Sequence, residues 1–406
     1  MLAVARRAYA LLRNPLVMAV YAPTLLFSIT TGIMNLILPL YAADFGVPYG
    51  VVGVIVAADL FGTLIGDVPA GMLMRRLGKK RLMLLGLALN GMMTLALYWA
   101  QSVALVGVLR VVSGVGWAFF AVSRHAYLAD MISPAQRGRA IAIFGGTFRI
   151  GWFIGPSIGG FLAARFGLRS TFLAYVVLVA LTVLTVLRFA QEGNPTLQGH
   201  RPGSGSGISL LELLRTYHHL LARAGIGQIL AQMTRASWRT IIPLYGADVI
   251  GLDVAQIGLI MSALSAVDMS LFMPAGMIMD RWGRRFATVP SFGLQGIGLA
   301  LIPLTGSFTA LLGAGLLIGV GNGLSSGTMM TLGADLAPEH ARGEFLGLWR
   351  LVGDVGAMTG PLAAGAVADL LTLSATALVA AVGGLGAALI FARWVPETLR
   401  RRPLEQ

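Results

Sequence analysis

The stretch PAGMLMRRLGKKR, Pro69–Arg81, returns as PAGMIMDRWGRRF, Pro274–Phe286, 205 residues later in a chain of 406. Each copy lies between two long apolar runs. Each holds one Gly, a cluster of Arg and Lys, and a second Gly just ahead of the next run. A basic, Gly-bounded turn repeated at half the chain length predicts two related halves. Other segments repeat as well. LADMISPAQRG from Leu128 matches GADLAPEHARG from Gly333, and PLYAADFG from Pro39 matches PLYGADVIG from Pro243. Asp130 and Asp335, Arg137 and Arg342, and Gly155-Pro156 and Gly360-Pro361 all keep the offset of 205.

Hydrophobic residues are 56% of the chain and charged residues 12%, with a mean hydropathy of +0.79. A soluble domain carries roughly 25% charged residues, so this chain has too little charge to cover a water-facing surface. A bilayer is its solvent. The net charge of +13 would suggest nucleic acid in a soluble protein. Here the basic residues fall in loops on alternate sides of apolar runs, which is the positive-inside pattern, and no nucleic acid partner is expected. With no Cys there are no disulfides or thiolate metal sites. The five His residues (His125, His200, His218, His219, His340) lack metal-ligand spacing, so no metal is expected.

Apolar segments of about 20 residues cross a bilayer as helices. They are read at 16–42, 51–74, 82–100, 104–128, 140–164, 171–190, 224–247, 254–279, 287–305, 308–332, 344–370 and 373–395. The expected fold is an all-α membrane protein, twelve transmembrane helices in two pseudo-symmetric six-helix halves. The halves are 1–190 and 224–406, with a linker at 191–223. Loops after even-numbered spans are rich in Arg and Lys, and the opposite side holds Asp44, Asp248, Asp253 and Asp369 with only Arg165 and Arg169 as basic residues. This bias predicts a multi-pass protein of the plasma (inner) membrane with both termini cytoplasmic. No cleavable signal peptide is read in the first 14 residues, which hold Arg6, Arg7 and Arg13. The linker begins as flexible EGNPTLQGHRPGSGSG, and 210–221 then carries Leu at helical spacing, as an amphipathic helix on the inner surface would.

Three patterns together resemble the major facilitator superfamily, over nearly the whole chain. The loop pattern G-x-L-x-D-R-x-G-R-[KR] is complete in the second copy as Gly276, Asp280, Arg281, Gly283, Arg284 and Arg285. In the first it reads Gly71, Leu73, Arg76, Gly78, Lys79 and Lys80, with Arg75 in place of the Asp. Arg110, Gly114 and Gly116 follow the R-x-x-x-G-x-G pattern of the fourth helix. Gly151, Gly155, Pro156, Gly159 and Gly160 follow the G-x-x-x-G-P-x-x-G-G pattern of the fifth. The resemblance implies that the loops act as a conformational latch, that Arg110 takes part in proton transfer, and that the fifth-helix pattern marks drug/proton antiporter-like exporters.

Charge inside a span is costly and marks function or a partner. The acids there are Asp59, Asp67, Asp268 and Asp354; the bases are Arg149, Arg235, Arg239 and Arg350, with Asn35 as a neutral polar group. These residues, with Arg110, are the candidates for proton and substrate binding. The expected function is secondary active transport of a small organic molecule by alternating access, as proton-coupled efflux. Arg149, Arg235 and Arg239 also suit an organic anion or zwitterion, carried by symport. No G-x-x-x-x-G-K-[ST] or H-E-x-x-H occurs, so neither direct ATP use nor zinc hydrolysis is expected. The protein is expected to be a monomer that meets only its substrate and the bilayer. It needs no cofactor beyond the proton as coupling ion.

Overall fold

The computed structural model describes residues 16–132, 137–192 and 210–399. The flexible linker stretch at 193–209, the N-terminal Arg6, Arg7 and Arg13, and the C-terminal Arg400, Arg401 and Arg402 lie outside the described residues. Among the described residues every regular element is a helix. In hydrocarbon no water can serve exposed backbone groups, and a helix satisfies them internally.

The helices are α1 (Ala22–Ala43, entered through a π turn at Val17–Tyr21), α2 (Tyr49–Leu77), α3 (Lys79–Leu97), α4 (Val103–Met131), α5 (Arg137–Phe166) and α6 (Ser170–Phe189). Then come α7 (Leu210–Tyr245), α8 (Val254–Ser270), α9 (Phe272–Arg281), α10 (Arg284–Leu301), α11 (Phe308–Leu324), α12 (Thr328–Leu336), α13 (Arg342–Leu370) and α14 (Leu373–Arg393). Among the described residues eleven segments are long and apolar enough to cross a membrane, counting α8 with α9 and α11 with α12 as one each. The twelfth is the later part of α7, where Gln228, Gln232, Arg235 and Arg239 lower the apolarity. The chain is a multi-pass integral membrane protein.

Three features differ from the expected spans. The eighth span is broken at Leu271, between α8 and α9. The tenth is broken at Ser325–Gly327, where Gly327 takes φ +77° and the Ser325 hydroxyl bonds back to the Asn322 carbonyl at 2.8 Å. A Ser-Ser-Gly run inside an apolar helix supplies the left-handed residue and, in Ser325, a hydroxyl that serves a freed carbonyl. The helix expected at 210–221 and the span after it meet within α7 at a kink, where Tyr217 has non-helical backbone.

The chain forms two compact units: Met1–Leu197 with Leu252–Ser262, and Gln198–Gly251 with Ala263–Gln406. Within each, helices close on one another through glycine. A Cβ added at Gly114 of α4 would stand 2.0 Å from the Asp59 carbonyl oxygen of α2, and one at Gly155 of α5 would stand 2.5 Å from the Ile29 carbonyl of α1. In the second unit a Cβ at Gly319 of α11 would stand 2.6 Å from the Leu264 carbonyl, and one at Gly360 of α13 would stand 2.7 Å from the Met233 carbonyl. Small residues let backbones touch where lipid offers no hydrophobic drive for association.

Candidate functional site

The two basic loops turn on glycines with positive φ: Gly78 at +82° between α2 and α3, and Gly283 at +121° before α10. In the first loop Lys79 pairs with Asp130 of α4. Lys80 donates to the Leu187 carbonyl at 2.9 Å, and Arg81 meets Glu192 at 3.1 Å. Arg75 and Arg76 are exposed. The second loop is knotted more tightly. Arg284 reaches Asp335 at 3.0 Å, Asp280 at 3.2 Å and the Met279 carbonyl at 2.6 Å. The backbone N–H groups of Arg284 and Arg285 donate to Glu397 at 2.9 and 3.0 Å, and the Thr398 hydroxyl donates to Asp335 at 2.7 Å. Gly71 and Gly276 are half-buried, and Arg281 is exposed.

Glu397 therefore sits on the N-terminus of α10, where the helix dipole and unpaired N–H groups favour an anion. Burial alone would raise its pKa, but backbone N–H groups of Leu399, Arg285, Arg284 and Thr398 outweigh that and hold it below the usual carboxylate value. Asp280 meets Arg284, while the helix end is taken by Glu397. The signal for Glu397 was present: Glu192 and Glu397 keep the 205 offset, and both approach the second loop glycine.

Inside the first unit, Arg110 of α4 and Asp59 of α2 form an ion pair at 2.9 Å, with the Arg110 side chain 6% exposed and Asp59 30%. The pair joins two candidates that sequence reasoning had taken separately. Beside it a buried polar chain ties three further groups together. Asn90 of α3 donates to the Ser113 hydroxyl at 2.9 Å, and the Tyr175 hydroxyl of α6 donates to Asn90 at 2.8 Å. Asn35, Asp67 and Arg149 are half-buried on α1, α2 and α5. Three of the fifth-span glycines face α1 and the fourth faces the start of α8. Gly151 meets Ser28, Gly155 meets Gly32, Gly159 meets Ile33, and Gly160 meets the Val254 carbonyl; Pro156 lies among them and abuts Gly32 and Gly258.

Sequence reasoning passed over Arg124. It lies four residues before the expected end of its span, and its side chain is 1% exposed. Its guanidinium carbon lies 4.7 Å from the Phe120 ring centre, 4.8 Å from Phe144, 5.5 Å from Trp117 and 5.8 Å from Phe148. The available signal was spacing. Trp117, Phe120 and Arg124 recur at i, i+3 and i+7 on α4, and Phe144 and Phe148 at i and i+4 on α5, which places each set on one helix face.

In the second unit Arg235 of α7 donates to the Gln232 amide oxygen at 2.9 Å, to the Ser325 carbonyl at 3.0 Å and to the Ser325 hydroxyl, and stands 5.3 Å over the Phe292 ring. It thus reaches the break in the tenth span. Asp268 is buried three residues before the break in the eighth. The two breaks adjoin, since a Cβ at Gly323 would stand 2.8 Å from Leu271 and 2.9 Å from the Asp268 carbonyl. Arg239 stands over Trp238 at 5.3 Å. Arg350 and Asp354 pair at 3.7 Å along α13, with Arg350 66% exposed. Among the described residues no group of three or more His, Asp or Glu gathers as a metal site.

The profile of the Major Facilitator Superfamily matches residues 23–343 and, a second time, 224–406. An uncharacterized MFS-type transporter of Methanocaldococcus jannaschii is 23% identical over 363 residues, covering 88% of this chain and 92% of its own length. Multidrug resistance protein 2 of Bacillus subtilis is 26% identical over 238 residues, 57% of this chain and 59% of its own. Among solved structures, a bacterial homologue of the human lysosomal transporter Spinster, inward-facing and occupied, superposes with a TM-score of 0.76 at 16% identity, covering 95% of this chain and 96% of its own. A D-xylose–proton symporter gives 0.73 at 17% identity, covering 94% and 97%. A human organic anion transporter gives 0.67 at 19% identity, covering 93% and 99%. With the family profile spanning both units and the transporter fold matched along nearly the full length, the chain belongs to the Major Facilitator Superfamily and is a secondary-active, alternating-access transporter of small molecules rather than an enzyme.

Proposed function

We propose that the protein carries a small organic anion or zwitterion by proton-coupled symport. The observation that carries this reading is Arg235, a half-buried guanidinium that meets a hydroxyl, a carbonyl and an amide oxygen at the break of the tenth span. Interrupted helices are where transporters of this architectural type bind polar cargo, and a guanidinium placed at such a break has the planar fork that recognises a carboxylate. Asp59, Asp67, Asp268 and Asp354 are the acids available to the proton. At Asp59 proton binding is linked to the release of Arg110, because the ion pair exists only while the acid is ionised. The D-xylose–proton symporter and the organic anion transporter share the fold, which is compatible with this coupling and cargo.

A second reading, proton-coupled efflux by antiport, is favoured by the fifth-span glycine pattern and by the relative named for multidrug resistance. In either case the basic loops face the cytoplasm of a plasma-membrane monomer with both termini inside. Gly71, Arg76, Gly78, Lys79, Gly276, Asp280, Arg281, Gly283 and Arg284 form the conformational latch, and no nucleic acid is a partner. The deciding experiment is flux in reconstituted vesicles with an imposed pH gradient and a panel of organic anions, zwitterions and lipophilic cations. Anion or zwitterion movement along the proton gradient, abolished by a protonophore, is expected. Cation movement against the proton gradient would replace the symport reading with efflux.

A further inference from the structure

We propose that Arg124 and the rings around it form a binding site for a small organic anion: a carboxylate or similar planar oxyanion attached to a flat apolar group. This rests on the transporter reading above and assigns part of the cargo site to the first unit.

The guanidinium of Arg124 has unmet needs. It carries a full charge and five N–H donors. Among the described residues its one hydrogen bond goes to the Thr24 hydroxyl of α1, at 3.4 Å, and its buried Nε has no partner. No carboxylate pairs with it among the described residues, although its side chain is 1% exposed. What surrounds it is π density: Phe120 and Trp117 from α4, Phe144 and Phe148 from α5. Ring quadrupoles attract a cation but bring no net negative charge and no lone pair along the N–H directions. A charge in a membrane interior normally pairs with an opposite charge, a backbone carbonyl or water. Arg124 has only the weaker half of that compensation.

The same surroundings fit an anion with a flat face. A carboxylate accepts two parallel N–H bonds from a guanidinium in one plane. The rings that now cover Arg124 then flank whatever the carboxylate is attached to. Trp117 is held for this by stacking on Phe27 of α1 at 4.9 Å, and Phe148 packs edge-on to Trp152 at 5.7 Å. Three helices of the first unit thus contribute to the cage. The second unit has Met329 at the position related to Arg124, with Asn322 and Ser325 at those of Trp117 and Phe120. The repeat therefore does not require the cage for folding, and its presence in one unit alone points to cargo.

The test uses benzoate as the probe, benzamide as its uncharged isostere, and tryptophan fluorescence of the purified full chain in detergent. Saturable quenching by benzoate and not by benzamide is expected, with the signal lost in W117F. The R124Q variant should weaken benzoate binding at least tenfold, and R124K should fall between, since lysine keeps the charge without the planar fork. Equal response to benzoate and benzamide in the unaltered chain would overturn the proposal whether or not R124Q folds. So would unchanged benzoate affinity in an R124Q variant with native helix content and a single elution peak. Benzoate flux in vesicles separates the two readings. Binding that depends on Arg124 with no flux under any gradient would count against the transport reading alone. Gradient-driven flux that survives R124Q unchanged would count against this site alone.

Discussion

The fourth and tenth spans occupy the same place in the repeat, and they have parted in chemistry while keeping their packing. Gly114 closes on the Asp59 carbonyl, and Gly319, 205 residues on, closes on the Leu264 carbonyl in the same way. Gly116 and Gly321 repeat the likeness against α3 and α10, each within 2.8 Å of a backbone nitrogen, that of Asn90 or Gln295, were a Cβ added. Yet α4 is unbroken and carries the buried Arg110–Asp59 pair, where the second unit has Gly315 and Leu264. The tenth span breaks at Ser325–Gly327 and takes its charge from Arg235 on a neighbouring helix. The duplicated residues are those that let backbones touch. Asp59, Arg110 and Arg235 each stand in one unit only, where the other has Leu264, Gly315 and Thr30.

The largest way to break that comparison is at the ion pair. Asp59→Asn leaves the Arg110 charge buried without its partner, a loss of about 3–5 kcal/mol, read as lower folded yield and melting temperature. Arg110→Gln, which leaves the half-buried Asp59, should cost less. Installing the second unit's residues together, Asp59→Leu with Arg110→Gly, should recover most of that stability while transport stays lost. A double variant as unstable as the singles would mean that the pair is not what separates the spans.

Next come the shared contacts. Gly114→Ala and Gly319→Ala should each cost about 1–3 kcal/mol by overpacking. The first should cost more, because its new carbon would meet a carbonyl at 2.0 Å rather than 2.6 Å. Thermal unfolding followed by tryptophan emission reports both, and a tolerated alanine at either site would break the likeness.

The basic loops offer a smaller contrast. Asp280→Asn removes one of the two carboxylates on Arg284, whereas Arg75→Ala removes an exposed side chain. An exposed pair is worth about 0.2–1 kcal/mol, so a few-fold fall in initial transport rate is expected for the first and near-normal rate for the second. The reverse order would transfer the latch to the first loop.

The smallest effect is the pH dependence of Glu397. Its carboxyl is held below the usual value in the fold, so the stabilisation it gives is complete above the unfolded pKa of about 4.3 and fades as pH falls through the folded one. Glu397→Gln should lower stability at neutral pH by under about 1 kcal/mol and flatten the acid limb of the melting-temperature profile. An unchanged acid limb would deny Glu397 that part.

How much of this was legible from the residues follows from what each signal depends on. Span number, loop motifs and the glycine faces depend on local composition and spacing, and they were readable from Pro69–Arg81 outward. The breaks at Leu271 and Ser325–Gly327 were not, because a Ser-Ser-Gly run is tolerated in a membrane helix and only its neighbours decide whether it unwinds. Asp59 and Arg110 were each singled out, but their pairing joins α2 to α4 across 51 residues and needs the glycine contacts to set its distance. Arg124 was missed for a different reason. An arginine close to the end of a span ordinarily reaches for the interface, and only the inward turn of Phe144 and Phe148 from the next helix marks it as enclosed.

Glu192 and Glu397 have one further consequence. Each clasps the loop of its own unit from beyond that unit's last helix, Glu192 through Arg81 and Glu397 through the start of α10. Every clasp is therefore complete within one stretch of chain on either side of 193–209. A protein severed there and produced as two polypeptides keeps all of them.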